Sequence, residues 1–171
     1  LGNIEQAIAR AQARGIPVIL VQHVANPQQG PAPFFNAGTA GAEIHPRILK
    51  AAAGAPVVVK QFADSFEQTN LTALLTDLGV TDLLVCGMMT QNCVTHTAIS
   101  RAAEKYHVTI LPDCCTTVSG VTTLITCQSA ARRCAVKEMT EASMSNGTDF
   151  FSLQRTRSIA SAVLCGSLSK S

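Results

Sequence analysis

Four short apolar runs separated by stretches of helical periodicity constrain this fold more than any other feature. Ile16 to Val24 is apolar and β-branched, interrupted at Pro17 and Gln22. Pro56 to Lys60, Leu83 to Cys86 and His107 to Leu111 are shorter, and Pro112 follows the last. A strand with one wet face alternates apolar and polar residues, whereas a strand covered on both faces is apolar throughout. Ile16 to Val24 is of the second kind. Between the runs, apolar residues recur at three- and four-residue spacing. Ile4, Ala7, Ile8 and Ala11 precede Arg14-Gly15, and Leu71, Leu74, Leu75 and Leu78 precede Gly79. Val94, Ala98 and Ala102 share one face of Val94 to Tyr106. Strand and helix in alternation predict an α/β fold with a mostly parallel sheet.

A chain of 171 residues fits one domain with a substantial core. Hydrophobic residues make up 47% and charged residues 14%, and no apolar run reaches the ~20 residues of a membrane span. Leu1 to Arg14 is amphipathic and lacks the apolar centre and cleavage site of a signal peptide, although the first residue is not Met. Residues 1–119 carry seven Lys/Arg against eight Asp/Glu, and residues 120–171 six against three. Six cations spread over the second segment make no nucleic-acid footprint. The seven cysteines (86, 93, 114, 115, 127, 134 and 165) are odd in number and form no CxxC pair. That argues against a disulfide framework and a zinc site and favours a reducing, cytoplasmic setting.

One turn carries chemistry. After Leu83 to Cys86 come Gly87, the turn Met88-Met89-Thr90-Gln91-Asn92, and then Cys93 at the start of a helical pattern. Unpaired N–H groups and the helix dipole at such a start stabilise a thiolate. A free cysteine is more commonly just a small buried hydrophobe. In open parallel sheets, ligands bind beyond the carboxyl ends of the strands. His23, Lys60 and the turn before Cys93 all end strands. Lys60 beside Cys93 would favour the thiolate and help hold a carbonyl or carboxylate. The loop from Asn26 to Gly41, rich in Pro, Gly, Ala and Asn, has a length that usually signals function.

Val57-Val58-Val59-Lys60 with Phe62, Ser65-Phe66, Thr69 and Leu71 forms one block, followed by Leu78-Gly79-Val80-Thr81-Asp82-Leu83-Leu84-Val85-Cys86-Gly87 and Thr90-Gln91-Asn92-Cys93-Val94. Together with His107 to Asp113, Cys115 to Ser119 and Gly38 to His45, these resemble the isochorismatase-like cysteine hydrolase family over roughly residues 1 to 119. The resemblance implies a Rossmann-like three-layer α/β/α fold and an Asp–Lys–Cys triad, of which Lys60 and Cys93 match the last two. It implies a cis peptide joining Met88 to Met89, with the N–H groups of Met89 and Cys93 as oxyanion hole. His23, Phe62, Phe66, Gln91 and Asn92 become substrate-pocket candidates. Cys93 favours acyl chemistry on a small amide, imide or carbamoyl substrate. Metal-binding members use paired histidines after the second strand. Here His23 stands alone and His45 belongs to the long loop, so neither metal nor cofactor is expected. A small-molecule substrate and a homo-oligomer are the partners implied, without nucleic acid or membrane.

Two departures accompany the match. The family's Asp ends a first, central strand ahead of the opening helix; no such segment is present, and Asp64, Asp77, Asp82, Asp113 and Asp149 are all wrongly placed for it. Little turnover is therefore expected, and a truncated relative acting by association is the alternative. The second departure follows Ser119. Fifteen of the 52 residues from Gly120 are Ser or Thr, so 1–119 reads as the core and 120–171 as a divergent segment. A helix over Ala130 to Met139, a short element over Ser158 to Leu164 and no clear strand are expected there.

Overall fold

A computed structural model describes residues 1–117 and 119–139, and the backbone of 159–165. Within it, β1 (Val18–His23), β2 (Val57–Lys60), β3 (Asp82–Met88), β4 (His107–Thr116), β5 (Ala135–Val136) and β6 (Ile159–Cys165) form one six-stranded sheet in the order β2-β1-β6-β3-β4-β5. All the pairings are parallel. The described helices are α1 (Gly2–Ala13), α2 (Pro46–Ala51), α3 (Leu71–Asp77), α4 (Thr95–Ala98) and α5 (Gly120–Ala130), with a π turn at Thr90–Val94 leading into α4.

Successive strand residues face opposite sides of a sheet. In β1, Val18 and Leu20 join Ile4, Ile8, Ala11 and Ile48 of α1 and α2 on one side. Ile19 and Val21 join Leu71, Leu75, Val94 and Ala98 of α3 and the helical segment after β3 on the other. Leu84 and Cys86 of β3 belong to the first cluster, and Leu83 and Val85 to the second. This two-sided burial is why the inner strands read as unbroken apolar runs, and it makes the molecule the expected three-layer α/β fold. The edge strand β2 is covered less, and Val57 and Val59 are exposed.

Several boundaries differ from the sequence expectation. Pro112 does not end its strand: β4 runs on to Thr116. The register jumps from Val85 opposite Ile110 to Gly87 opposite Cys115, so Leu111 to Cys114 bulge out of the ladder. Proline is tolerated where no ladder N–H is required. The helix expected over Val94 to Tyr106 begins at Thr90 and breaks at Ile99–Ser100, with a separate 3-10 turn at Arg101–Ala103. There the Ser100 hydroxyl accepts the Ala102 N–H and donates to Asp64, ending the helix locally.

The largest corrections fall after Ser119. The helix lies at Gly120–Ala130 rather than Ala130–Met139, capped by the Ser119 side chain, and Cys127 and Ala130 enter the core. Two strands follow where none was readable. β6 occupies the sheet centre, with Val163 opposite Leu20 of β1 and Cys86 of β3. The resemblance assigns that central place to a strand ahead of α1; here residues 159–165 hold it.

Candidate active site

The parallel strands deliver their carboxyl ends to one rim, and the order reverses near β6, which makes a crevice there. His23 ends β1 and Lys60 ends β2, and the two are paired in register. β3 ends at Met88, the Met88–Met89 peptide is cis, and the π turn then carries Cys93 to the same rim. A π turn is a rare feature often found at functional sites.

Lys60 is 2% exposed. A buried ammonium requires acceptors for its three N–H groups. Nζ donates to the carbonyl oxygens of Phe62 and Ala63, each at 2.8 Å, and lies 3.4 Å from His23 Nδ1. Burial lowers the Lys60 pKa, while its contact with Cys93 and the Asp64 carboxylate oppose that shift. Cys93 is equally buried, and its Sγ lies 3.8 Å from His23 Nδ1. Thiol, ammonium and imidazole therefore meet in one cluster.

Hydrogen bonds fix this geometry from behind. Thr97 Oγ1 in α4 accepts the Ser65 N–H at 3.0 Å and lies 2.7 Å from Ser65 Oγ. Asp64 accepts from Ser100 Oγ at 2.6 Å and from the Phe66 N–H at 2.9 Å. The segment after Lys60 is thus tied to the helix after Cys93. The turn itself is held by Thr95 Oγ1, which donates to the Thr90 carbonyl at 2.6 Å, and by Thr90 Oγ1, which lies 3.2 Å from Thr123 Oγ1 of α5.

The other pocket candidates are placed unevenly. Phe62 is partly exposed and offers its carbonyl to Lys60, whereas Phe66 stacks on Tyr106 within the core. Gln91 lies in the turn, where its Nε2 approaches Met89 Sδ and its buried Oε1 has no partner among the described residues. The Asn92 carbonyl meets His96 Nδ1 at 2.9 Å on an exposed face. His45 caps α2 through the Arg47 N–H. No three His, Cys, Asp or Glu side chains among the described residues are grouped to hold a metal. Cys114 and Cys115 have raised pKa values, burial being the main cause, with Cys114 pushed up to about 12. Such thiols are poor nucleophiles.

Phe35 escaped the sequence reading. Its ring lies 5.1 Å from that of His23 at a 41° tilt, and its carbonyl accepts the Ala25 N–H at 2.8 Å. Its φ is +63°, a region non-glycine residues rarely occupy. Asn36, bonded to both the N–H and the carbonyl of Ala32, braces the loop beside it. The adjacent aromatics Phe34-Phe35 in a loop of small residues were the available signal.

Burial, and second the Lys60 charge, lowers the His23 pKa to about 4 from its ordinary 6.5. Between those values the unfolded chain takes up a proton that the folded chain refuses, so stability falls as pH drops through the window. Below about 4 both states are protonated and this contribution stops changing. Replacing His23 by Asn should therefore flatten the fall of the urea midpoint between pH 6.5 and 4. An unchanged pH profile would contradict a buried neutral imidazole.

A parallel sheet that gathers these groups at its strand ends defines a three-layer α/β protein with a candidate reaction centre at its switch point. Residues 1–137 match the isochorismatase domain. The chain belongs to the isochorismatase family. It is 32% identical over 117 residues to an isochorismatase family protein of Bacillus subtilis (strain 168), covering 68% of this chain and 63% of that relative. It is 37% identical over 105 residues to a streptothricin hydrolase of Streptomyces noursei, covering 61% of this chain and 39% of the relative. The chain thus spans less than two thirds of either. An isochorismatase-family structure from Burkholderia xenovorans LB400 superposes with a TM-score of 0.73 at 28% identity, over 86% of this chain and 75% of that one.

Proposed function

We propose that this chain is a cysteine hydrolase acting on a small amide, imide or carbamoyl compound through a thioester intermediate. The observation that carries this reading is the meeting of Cys93, Lys60 and His23 at the ends of three different elements. The Cys93 sulfur attacks the carbonyl carbon, and Lys60 supplies the positive charge that stabilises the thiolate. The N–H groups of Met89 and Cys93 hold the developing oxyanion, a contribution typically worth about 10²–10³-fold per donor. The nitrogen leaves as the amine, carrying the proton that the thiol gave up, and water then adds to the thioester to release the carboxylic acid and restore the thiol.

Gln91 Oε1, buried and without a partner among the described residues, suits a substrate N–H, because a buried acceptor left unpaired costs about 1–3 kcal/mol. Phe35 and Phe62 supply apolar walls. The streptothricin hydrolase relative supports hydrolytic chemistry without fixing the substrate. The cysteines with described side chains are free thiols, in keeping with a cytoplasmic setting.

The test is formation of the acyl-enzyme. With p-nitrophenyl acetate, the protein should release a burst of about one equivalent of nitrophenolate and gain an acetyl group on Cys93. Cys93→Ala should show neither. A burst of equal size in both proteins would exclude Cys93 as nucleophile, and no burst in either would favour an association-only role.

A further inference from the structure

We propose that the outer face of α5 is a self-association surface, on which this chain pairs with a second copy of itself about a two-fold axis. The inner face of this helix is spent inside the molecule. Cys127 and Ala130 enter the core, and Thr123 Oγ1 lies 3.2 Å from Thr90 Oγ1 of the π turn. On the opposite face, Val121, Leu124 and Ile125 are 67%, 59% and 58% exposed. With Gln128, also exposed, they follow the i, i+3, i+4, i+7 spacing of one helical stripe. Among the other described helices, only Leu49 of α2 is a large apolar side chain so exposed. Single apolar residues at a surface are ordinary, whereas a contiguous patch of roughly 300 Å² marks a contact.

Charge selects the occupant. A two-fold axis sets a surface against its own copy, so a charge near the axis meets its like. α5 contains no Asp, Glu, Lys, Arg or His, so its face has nothing to repel itself and nothing to recruit a charged partner. The nearest cations lie beyond the helix. Arg133 is paired with Glu104, and the exposed Arg132 flanks the stripe beside Ile125, Gln128 and Ser129. Arg132 lies about 12 Å along the axis from Leu124, at 1.5 Å per residue. An antiparallel pair centred on Leu124 and Ile125 keeps the two arginines more than about 20 Å apart, well past the screening length of about 8 Å. A parallel pair would bring them together. Antiparallel packing also aligns the helix dipoles favourably.

Size sets the strength. The 11 residues of α5 make a helix about 16 Å long. Pairing it buries roughly 400 Å² per copy, half of the ~800 Å² of a standard interface. The dimer is accordingly weak, with a dissociation constant of about 10–100 µM.

Sedimentation equilibrium of the full chain between about 1 and 500 µM should show monomer and dimer in exchange. Leu124→Glu should weaken the dimer by at least about 30-fold, since the axis introduces the carboxylate twice. Leu49→Glu, on the exposed apolar residue of α2, should leave it within about twofold. Leu124→Cys should give a disulfide-linked dimer under oxidised glutathione, far above the wild-type level, because the two positions meet near the axis. A monomer at every concentration overturns the proposal, as does an assembly of any size that Leu124→Glu leaves intact. Equal loss of the dimer in Leu49→Glu, or no cross-link through Leu124→Cys, also overturns it. A wild-type monomer whose urea midpoint falls on Leu124→Glu would show that the chain's own residues cover the stripe, which overturns it too.

Discussion

Lys60→Met should slow the p-nitrophenyl acetate burst by about 10²–10³-fold, the range found when one preorganised charge or donor is removed from a reaction centre. Met keeps the apolar stem and the volume but removes the ammonium beside Cys93 and His23. Alkylation of Cys93 by iodoacetamide at pH 7 should slow by about tenfold once the cation beside its sulfur is gone. The carbonyls of Phe62 and Ala63 lose their donor at the same time. Two buried acceptors left unpaired should cost about 1–3 kcal/mol each, visible as a lower urea midpoint. Alkylation kinetics isolate the electrostatic effect from that destabilisation. Cys93 alkylated at the wild-type rate in the folded variant would show that Lys60 does not activate it.

Val163→Pro should destabilise the fold by about 3 kcal/mol or more, measured by urea unfolding. Val163 lies between Leu20 of β1 and Cys86 of β3, in a strand paired on both sides. A central parallel strand uses its N–H groups alternately toward the two neighbours, so proline removes a ladder bond whichever way the position points. Stability equal to wild type would show that residues 159–165 do not hold the sheet centre.

The inner strands were legible because burial on both faces leaves one signature, an apolar run. Val18 to Val21 and Leu83 to Cys86 carry it without interruption. Lys60 and Cys93 stood out through local context, a charge ending a strand and a thiol after a turn. What brings them together was not legible, since the Ser65–Thr97 and Asp64–Ser100 bonds join residues 32 and 36 apart in sequence. α5 was missed because its Thr-rich sequence buries only Cys127 and Ala130, too few positions to set a helical period. A short element over Ser158 to Leu164 was expected and β6 lies there, but its place in the sheet was missed for a topological reason. Nothing local to Ile159–Cys165 says that a strand read after all the others will lie between β1 and β3.

That placement dictates an order of events during synthesis. β2-β1 and β3-β4-β5 are complete pieces of sheet before β6 has been translated. A nascent chain at that stage presents two facing inner edges, on β1 and β3, each able to pair with a stray strand. Joining them is a long-range closure, the slow kind, and it comes last. Because His23 and Lys60 lie on one piece and Cys93 on the other, the thiol would meet its partners only once β6 closes the sheet.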